Sequence, residues 1–208
     1  MKTKIKDHIF YHWYVYVIIL VMTSLLDWFI VRNITSYKDY EKVSIFIASS
    51  SVDKEKMENI IFANADESLK EVNILNYSPI DKDIKTLVQS VGTVDTDIII
   101  MPKDMMIKDY VYINCYRLYE YKEALDNLYN FHYIQYADLD MGIEVYNNET
   151  SYSLFSSFIT YDNKDEGIEF NNYVMFLNAS SNNFKSLIGI GESDNALNAL
   201  KALLDYEE

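Results

Sequence analysis

The chain has 208 residues, with 32 acidic against 18 basic side chains and a formal net charge of −14. That length supports one domain with a real core, and a composition that is 50% hydrophobic excludes a disordered chain. The acidic balance excludes a nucleic-acid backbone as the main partner, because such binding needs patches of Lys and Arg, and one cysteine, Cys115, excludes an internal disulfide.

Residues 1–8 carry Lys2, Lys4 and Lys6, and the apolar stretch IFYHWYVYVIILVMTSLLDWFIV follows from Ile9 to Val31. At ~1.5 Å rise per residue this stretch spans roughly 34 Å, enough for a bilayer core of ~30 Å. Trp13, Tyr14 and Tyr16 crowd one end and Trp28 the other, as interfacial rings do. The preceding lysines place the N-terminus in the cytoplasm and everything from Arg32 onward outside the cell. The competing reading, a cleaved signal peptide, needs small residues after the apolar run, and LLDWFIVRNI has none. The expectation is an uncleaved signal-anchor at 9–31 with the bilayer as partner. Asp27 sits near its outer end, where it either snorkels or pairs with Arg32, or makes a polar contact with a partner membrane protein.

After a polar linker, 32–41, the domain expected at 42–208 opens with KVSIFIA (42–48), a buried strand. SSSVDKEKMENIIFANA reads as a helix with serines available to cap it, and EVNILNY (71–77) as a second strand. SPIDKDIKTLVQSVG (78–92) has Ser78 at the N-cap, Pro79 in the first turn and Gly92 to terminate it. DIIIMP (97–102) is a third strand. Short connections and continuous apolar runs predict a mostly parallel sheet covered on both faces. Beyond it, Leu118, Tyr121, Leu125 and Leu128 predict an amphipathic helix. Residues 142–147, 154–162 and 170–178 read as strands, and SDNALNALKALLDYEE as a docked terminal helix.

Three βα units over 42–102, a connecting segment, the strand YVMFLNASSNNF and the terminal helix NALNALKALLDYEE together resemble the type 2 periplasmic (extracytoplasmic) solute-binding proteins. The resemblance is one of pattern, without an invariant motif. It implies an α/β fold, a small periplasmic-binding-protein-like domain with a mostly parallel sheet, and non-covalent solute binding, set here behind the single transmembrane helix read from residues 9–31. Transporter-feeding members are much longer and are secreted or lipid-anchored. Here residues 103–141 could supply only a reduced second lobe or insert.

In an open parallel sheet, ligands sit beyond the carboxyl ends of the strands. Those ends are Ser49, Ser50 and Ser51, then Tyr77 and Ser78, then Lys103. Their hydroxyls, with helix N-termini, could hold a small polar solute, or the serines cap a helix and the tyrosine packs. Lys103 and Asp104 are neighbours whose side chains diverge on a helix start, so they make no acid–base pair. Cys115 reads as a small buried hydrophobe, since a nucleophile would need His132 as partner. In DNKDEGIEFNNY, Lys164 and Tyr173 break the calcium-loop pattern, DLDMG is too short, and the histidines lack zinc spacing. No Gly-rich phosphate loop or nucleophile elbow occurs. The nineteen tyrosines read as core and interface filling.

The expected function is therefore that of a membrane-anchored extracytoplasmic binding domain, not an enzyme, needing no cofactor. It would act as an accessory or sensor subunit of a membrane complex such as a transporter. The alternative is a tethered receptor handing a small polar solute to an ABC-type permease, and an extracellular hydrolase is a third possibility.

Overall fold

The computed structural model describes residues 2–35, 37–90, 96–106, 114–116, 118–136, 139–161, 170–189 and 191–207. The chain divides into two compact units, Met1–Tyr37 and Lys38–Glu208. In the first, one helix, α1 (Lys2–Thr35), departs from helical geometry at His12. Its stretch His12–Ile30, 19 residues, is long and apolar enough to cross a bilayer. Thr23 and Ser24 turn their hydroxyls back onto the carbonyls of Ile19 and Leu20, so neither presents an unsatisfied donor to the surroundings. Asp27 is exposed on this helix; the side chain of Arg32 lies outside the described set.

The second unit is built on one mixed sheet. Strands β1 (Lys42–Ala48), β3 (Glu71–Tyr77) and β4 (Ile98–Pro102) are parallel, with β1 in the middle. Beyond β4 the pairing turns antiparallel, through β9 (Asn172–Leu177), β6 (Leu139–Asn147) and β5 (Tyr133–Tyr136), giving the order β3-β1-β4-β9-β6-β5. Strand β7 (Tyr152–Ser153) adds to β6, and β2 (Ser51–Val52) pairs with β8 (Ile159–Thr160) apart from this sheet.

Alternation along the strands splits the core. Val43, Ile45, Ile47, Ile98, Ile100, Met175 and Leu177 face one side, with α2 (Lys54–Ala63) and the terminal helix α5 (Asn195–Glu207). Phe46, Ala48, Ile99, Met101, Val174 and Phe176 face the other, against Ile84 and Val88 of α3 (Ile84–Ser90). Gly142 lies where β6 passes this second layer: a Cβ there would come within 2.5 Å of Val174 Cγ1.

Four local expectations are corrected. Asp53, not a serine, caps α2, accepting from the Lys56 N–H at 3.1 Å, because Ser51 and Val52 are extended in the β2–β8 pair. The helix expected at 78–92 starts only at Ile84: Asp81 takes the Asp83 N–H at 3.0 Å and holds the preceding residues in turns. Gly92 lies outside the described residues. Leu118–Glu120 is a 3-10 turn and Lys122–Asp126 a short helix, α4, rather than one amphipathic helix. Over 154–161 only Ile159–Thr160 is strand. Phe155 adopts φ 63°, and its carbonyl takes the N–H groups of Phe158 and Ile159, folding Leu154, Phe155 and Phe158 into the core. Residues 162–169, most of the segment tested for calcium, lie outside the described residues, as does Asp138 of DLDMG, while Tyr173 at the end of that segment is buried in β9.

Part of 103–141 packs into the sheet and core of this unit. Leu118 and Leu125 are buried in it, Cys115 bridges to Asn178, and β5 forms an edge.

Candidate functional site

The two core layers are not apolar along their whole length. On the face carrying Phe46, one cross-strand row reads Leu75, Phe46, Ile99 and Phe176. The adjoining row, toward the amino ends of the parallel strands, reads Asn73, Ser44, Asp97 and Asn178. Backbone bonds carry the ladder through it: Asp97 N–H to Ser44 O at 2.8 Å and Asn178 N–H to Asp97 O at 2.9 Å. Four strands thus switch from apolar to polar at the same level on the same face.

This polar row lines a pocket of about 280 Å³, whose walls include Asp39, Lys42 and Glu71 as well as Asn178 and the run Ser180, Ser181, Asn182 and Asn183. Asp97 is its most buried charged group, 7% exposed. Its Oδ2 accepts the Ser44 N–H at 2.8 Å, and its Oδ1 accepts the Ser181 hydroxyl at 2.5 Å and the Asn183 amide at 2.9 Å. Burial pushes its carboxyl above the ordinary carboxylate range against the pull of these three donors, and the charge of Asp39 adds to the rise. Asn183 ties the same knot to the start of the domain: its amide also donates to Lys42 O at 2.9 Å and Asp39 O at 3.2 Å, while its oxygen accepts from Ser193 at 2.6 Å. Gly191, at φ 120°, permits the close return that lets Glu192 and Ser193 donate to the Asn182 carbonyl. A Cβ at Gly191 would meet that carbonyl oxygen at 2.8 Å.

The residues expected to bind gather at the opposite, carboxyl edge. Ser49 is fully buried, its hydroxyl donating to Ser51 O and its carbonyl accepting the Asn76 amide at 3.0 Å. Ser50 donates to Thr160 O at 2.8 Å, and Ser51 is exposed in β2. Tyr77 stacks on Phe46 with ring centroids 5.4 Å apart, and the Ser78 carbonyl closes a turn to Asp81. Lys103 is exposed on the 3-10 turn Lys103–Met105, as is Asp104 beside it. Cys115 is buried, its thiol pushed up to about 12 by that burial, which suits a core residue rather than a nucleophile. Tyr146, Tyr161 and Tyr173 form one aromatic cluster, with Tyr161 donating to Leu154 O. Among the described residues, no three His, Cys, Asp or Glu side chains could hold a metal ion.

Sequence reasoning missed Ser44, Asn73, Asp97, Asn178 and Asn183. The signal was present as KxSxFxA, ExNxLxY and DxIxM: in each strand the polar residues precede the apolar ones at alternate positions. Treating the strands as continuous apolar runs hid it.

No family model, curated protein or solved structure matches this chain. Fold and pocket therefore carry the functional argument by themselves.

Proposed function

We propose that this chain is a single-pass membrane protein, N-terminus in the cytoplasm, whose extracytoplasmic domain binds a small polar solute without covalent chemistry. It would serve as a sensor or accessory subunit of a membrane complex such as a transporter. One observation carries the reading: a polar row on four adjacent strands, inside an otherwise apolar face, lines a pocket of about 280 Å³. Asp97, Asn178, Ser181 and Asn183 are hydrogen-bonded within the protein, and such fixed polar groups lining a concave face are what orients a small polar solute. The apolar stretch His12–Ile30 supports the membrane tether, and the three lysines before it support the orientation.

The test is a thermal-shift screen of the full chain in a non-ionic detergent against sugars, amino acids, short peptides, amines and inorganic anions. A ligand that binds only the native state raises the midpoint. The same screen on Asn73→Trp, which fills the pocket from an exposed strand position, should be flat. No shift with any class, in either protein, would remove the reading. Pull-down of the full chain from membranes separates the two roles: a co-purifying permease favours transport, and another membrane protein favours sensing.

A further inference from the structure

Resting on the pocket being a solute site, we propose that its ligand is a small organic cation bearing a primary ammonium or guanidinium group. The lining carries three carboxylates, Asp39, Glu71 and Asp97, against one ammonium, Lys42. Its remaining groups, among them Asn73, Asn178 and Ser180, are neutral. An inorganic anion would sit among like charges. A neutral sugar would strip water from carboxylates without supplying a counter-charge, which is costly in a partly enclosed space.

A metal ion is the other way to meet that charge. The carboxylates are too dispersed for it, since no such group of ligands converges among the described residues. An extended organic cation suits dispersed acceptors, reaching one carboxylate with its charged head and the amides with its other end. The pocket, of about 280 Å³, suits a solute of amino-acid size rather than a peptide.

Asp97 is the natural head-group contact. An ionised carboxylate has about four acceptor sites, and among the described residues this one takes three donors, the Ser44 N–H on Oδ2 and the Ser181 and Asn183 side chains on Oδ1. Asp97 is the most buried of the three carboxylates in the lining, where an approaching cation is least screened by solvent. Because burial raises the carboxyl of Asp97, a cation beside it draws that value back down. Binding then releases a proton at acid pH, and affinity falls as pH falls.

The experiment is calorimetric titration of the full chain in non-ionic detergent at 150 mM NaCl. The cationic probes are L-arginine and 1,4-diaminobutane. L-citrulline, nearly isosteric with arginine but uncharged at its end, is the comparator, with glucose and inorganic phosphate as further controls. The expected result is that at least one cationic probe binds and that citrulline binds at least ten-fold more weakly than arginine or not at all. Asp39→Asn with Glu71→Gln, two rim changes outside the Asp97 hydrogen-bond knot, should weaken the cation at least ten-fold. Glu55→Gln with Glu67→Gln, exposed acids elsewhere, should leave it unchanged.

Equal losses in the two double variants would mean diffuse attraction to an acidic surface and would overturn the assignment. Binding of glucose or phosphate that Asn73→Trp abolishes, with both cations silent, overturns the cation class and leaves the pocket reading intact. Silence from every probe overturns the cation class, and the pocket reading then falls only if the wider thermal-shift screen is flat as well.

Discussion

Replacing Asp97 by Asn removes a charge while keeping shape, and the structure states what that should do. The carboxylate meets donors at both oxygens: Ser44 N–H on Oδ2, and the Ser181 hydroxyl and Asn183 amide on Oδ1. A carboxamide cannot accept at both ends. With its oxygen toward Ser181 and Asn183, its NH₂ confronts the Ser44 N–H. Reversed, it confronts the Asn183 amide, while the Ser181 hydroxyl can rotate to accept. The better orientation leaves one buried donor unmet, which costs about 1–3 kcal/mol. Asp97→Ala strands all three donors and should cost about 3–5 kcal/mol, the range for breaking a buried charged network.

The pH dependence discriminates between causes. Burial raises the folded-state carboxyl of Asp97 above the ordinary carboxylate range. The folded state therefore takes up a proton before the unfolded state does as pH falls. This group's contribution to stability is full below the unfolded value and is lost as pH rises through the raised folded value. The Asn variant has no such component, so the stability gap between wild type and Asp97→Asn should widen as pH drops through that window. If the three hydrogen bonds outweighed burial, the folded value would be depressed and the gap would narrow instead. Urea denaturation of the full chain in detergent, followed by far-UV circular dichroism between neutral pH and pH 4, reads this directly. Tryptophan fluorescence is the wrong probe, because Trp13 and Trp28 both lie in α1. A gap that narrows on acidification, or an Asn variant as stable as wild type at neutral pH, would falsify the reasoning.

Other substitutions test the packing of the domain away from the pocket. Lys56 lies over the rings of Phe158 at 5.1 Å and Tyr206 at 4.7 Å and donates to Ser157 O at 3.1 Å. Lys56→Met should lower stability by about 1–2 kcal/mol through loss of the cation–π and hydrogen-bond contributions, read as a shift in urea midpoint. Gly142→Ala places a Cβ 2.5 Å from Val174 Cγ1 and 2.7 Å from Phe176 Cε1. Overpacking of that kind costs about 1–3 kcal/mol, and adding Val174→Ala should recover part of the loss in the same assay. Cys115, with its thiol pushed up to about 12, should react with a disulfide reagent at pH 8 about a thousand-fold more slowly in the native chain than in urea. Comparable rates in the two would mean that the thiol is not buried.

The parallel half of the fold was legible because each strand is a short β-branched run bounded by polar residues. The expected spans at 42–48 and 71–77 coincide with β1 and β3, and 97–102 with β4 to within one residue. The antiparallel half was legible as strands but not as pairings. Nothing local in NNYVMFLN states that β9 lies against β4, since partner choice depends on contacts far apart in sequence. The segment 154–161 was misread because a phenylalanine at φ 63° breaks the extended run; that conformation is rare for non-glycine residues and leaves no compositional mark. The pocket was half-legible. Its strand positions carry a readable polar step, but the loop holding Ser181 and Asn183 is only placed once β9 is placed.

That dependence explains why the pocket lies at the amino edge rather than at the carboxyl edge, where parallel sheets usually receive ligands. The usual rule follows from connectivity: all strands run one way, so their outgoing loops and following helices gather at one end. At that end of this sheet, Asn76 binds the carbonyls of Ile47 and Ser49, Ser50 binds Thr160, and Tyr77 covers Phe46. Strand β9 runs against β4, so its outgoing loop is delivered to the other end, beside Ser44 and Asp97. There Ser181 and Asn183 reach the Asp97 carboxylate, and Asn183 reaches back to Asp39 and Lys42. Had β9 paired in the parallel sense, its outgoing loop would lie with those of β1, β3 and β4, and Asp97 would face the amino edge without two of its three donors. A buried carboxylate left with one donor is not tolerable, so the antiparallel turn in the sheet and the acid in its polar row depend on each other.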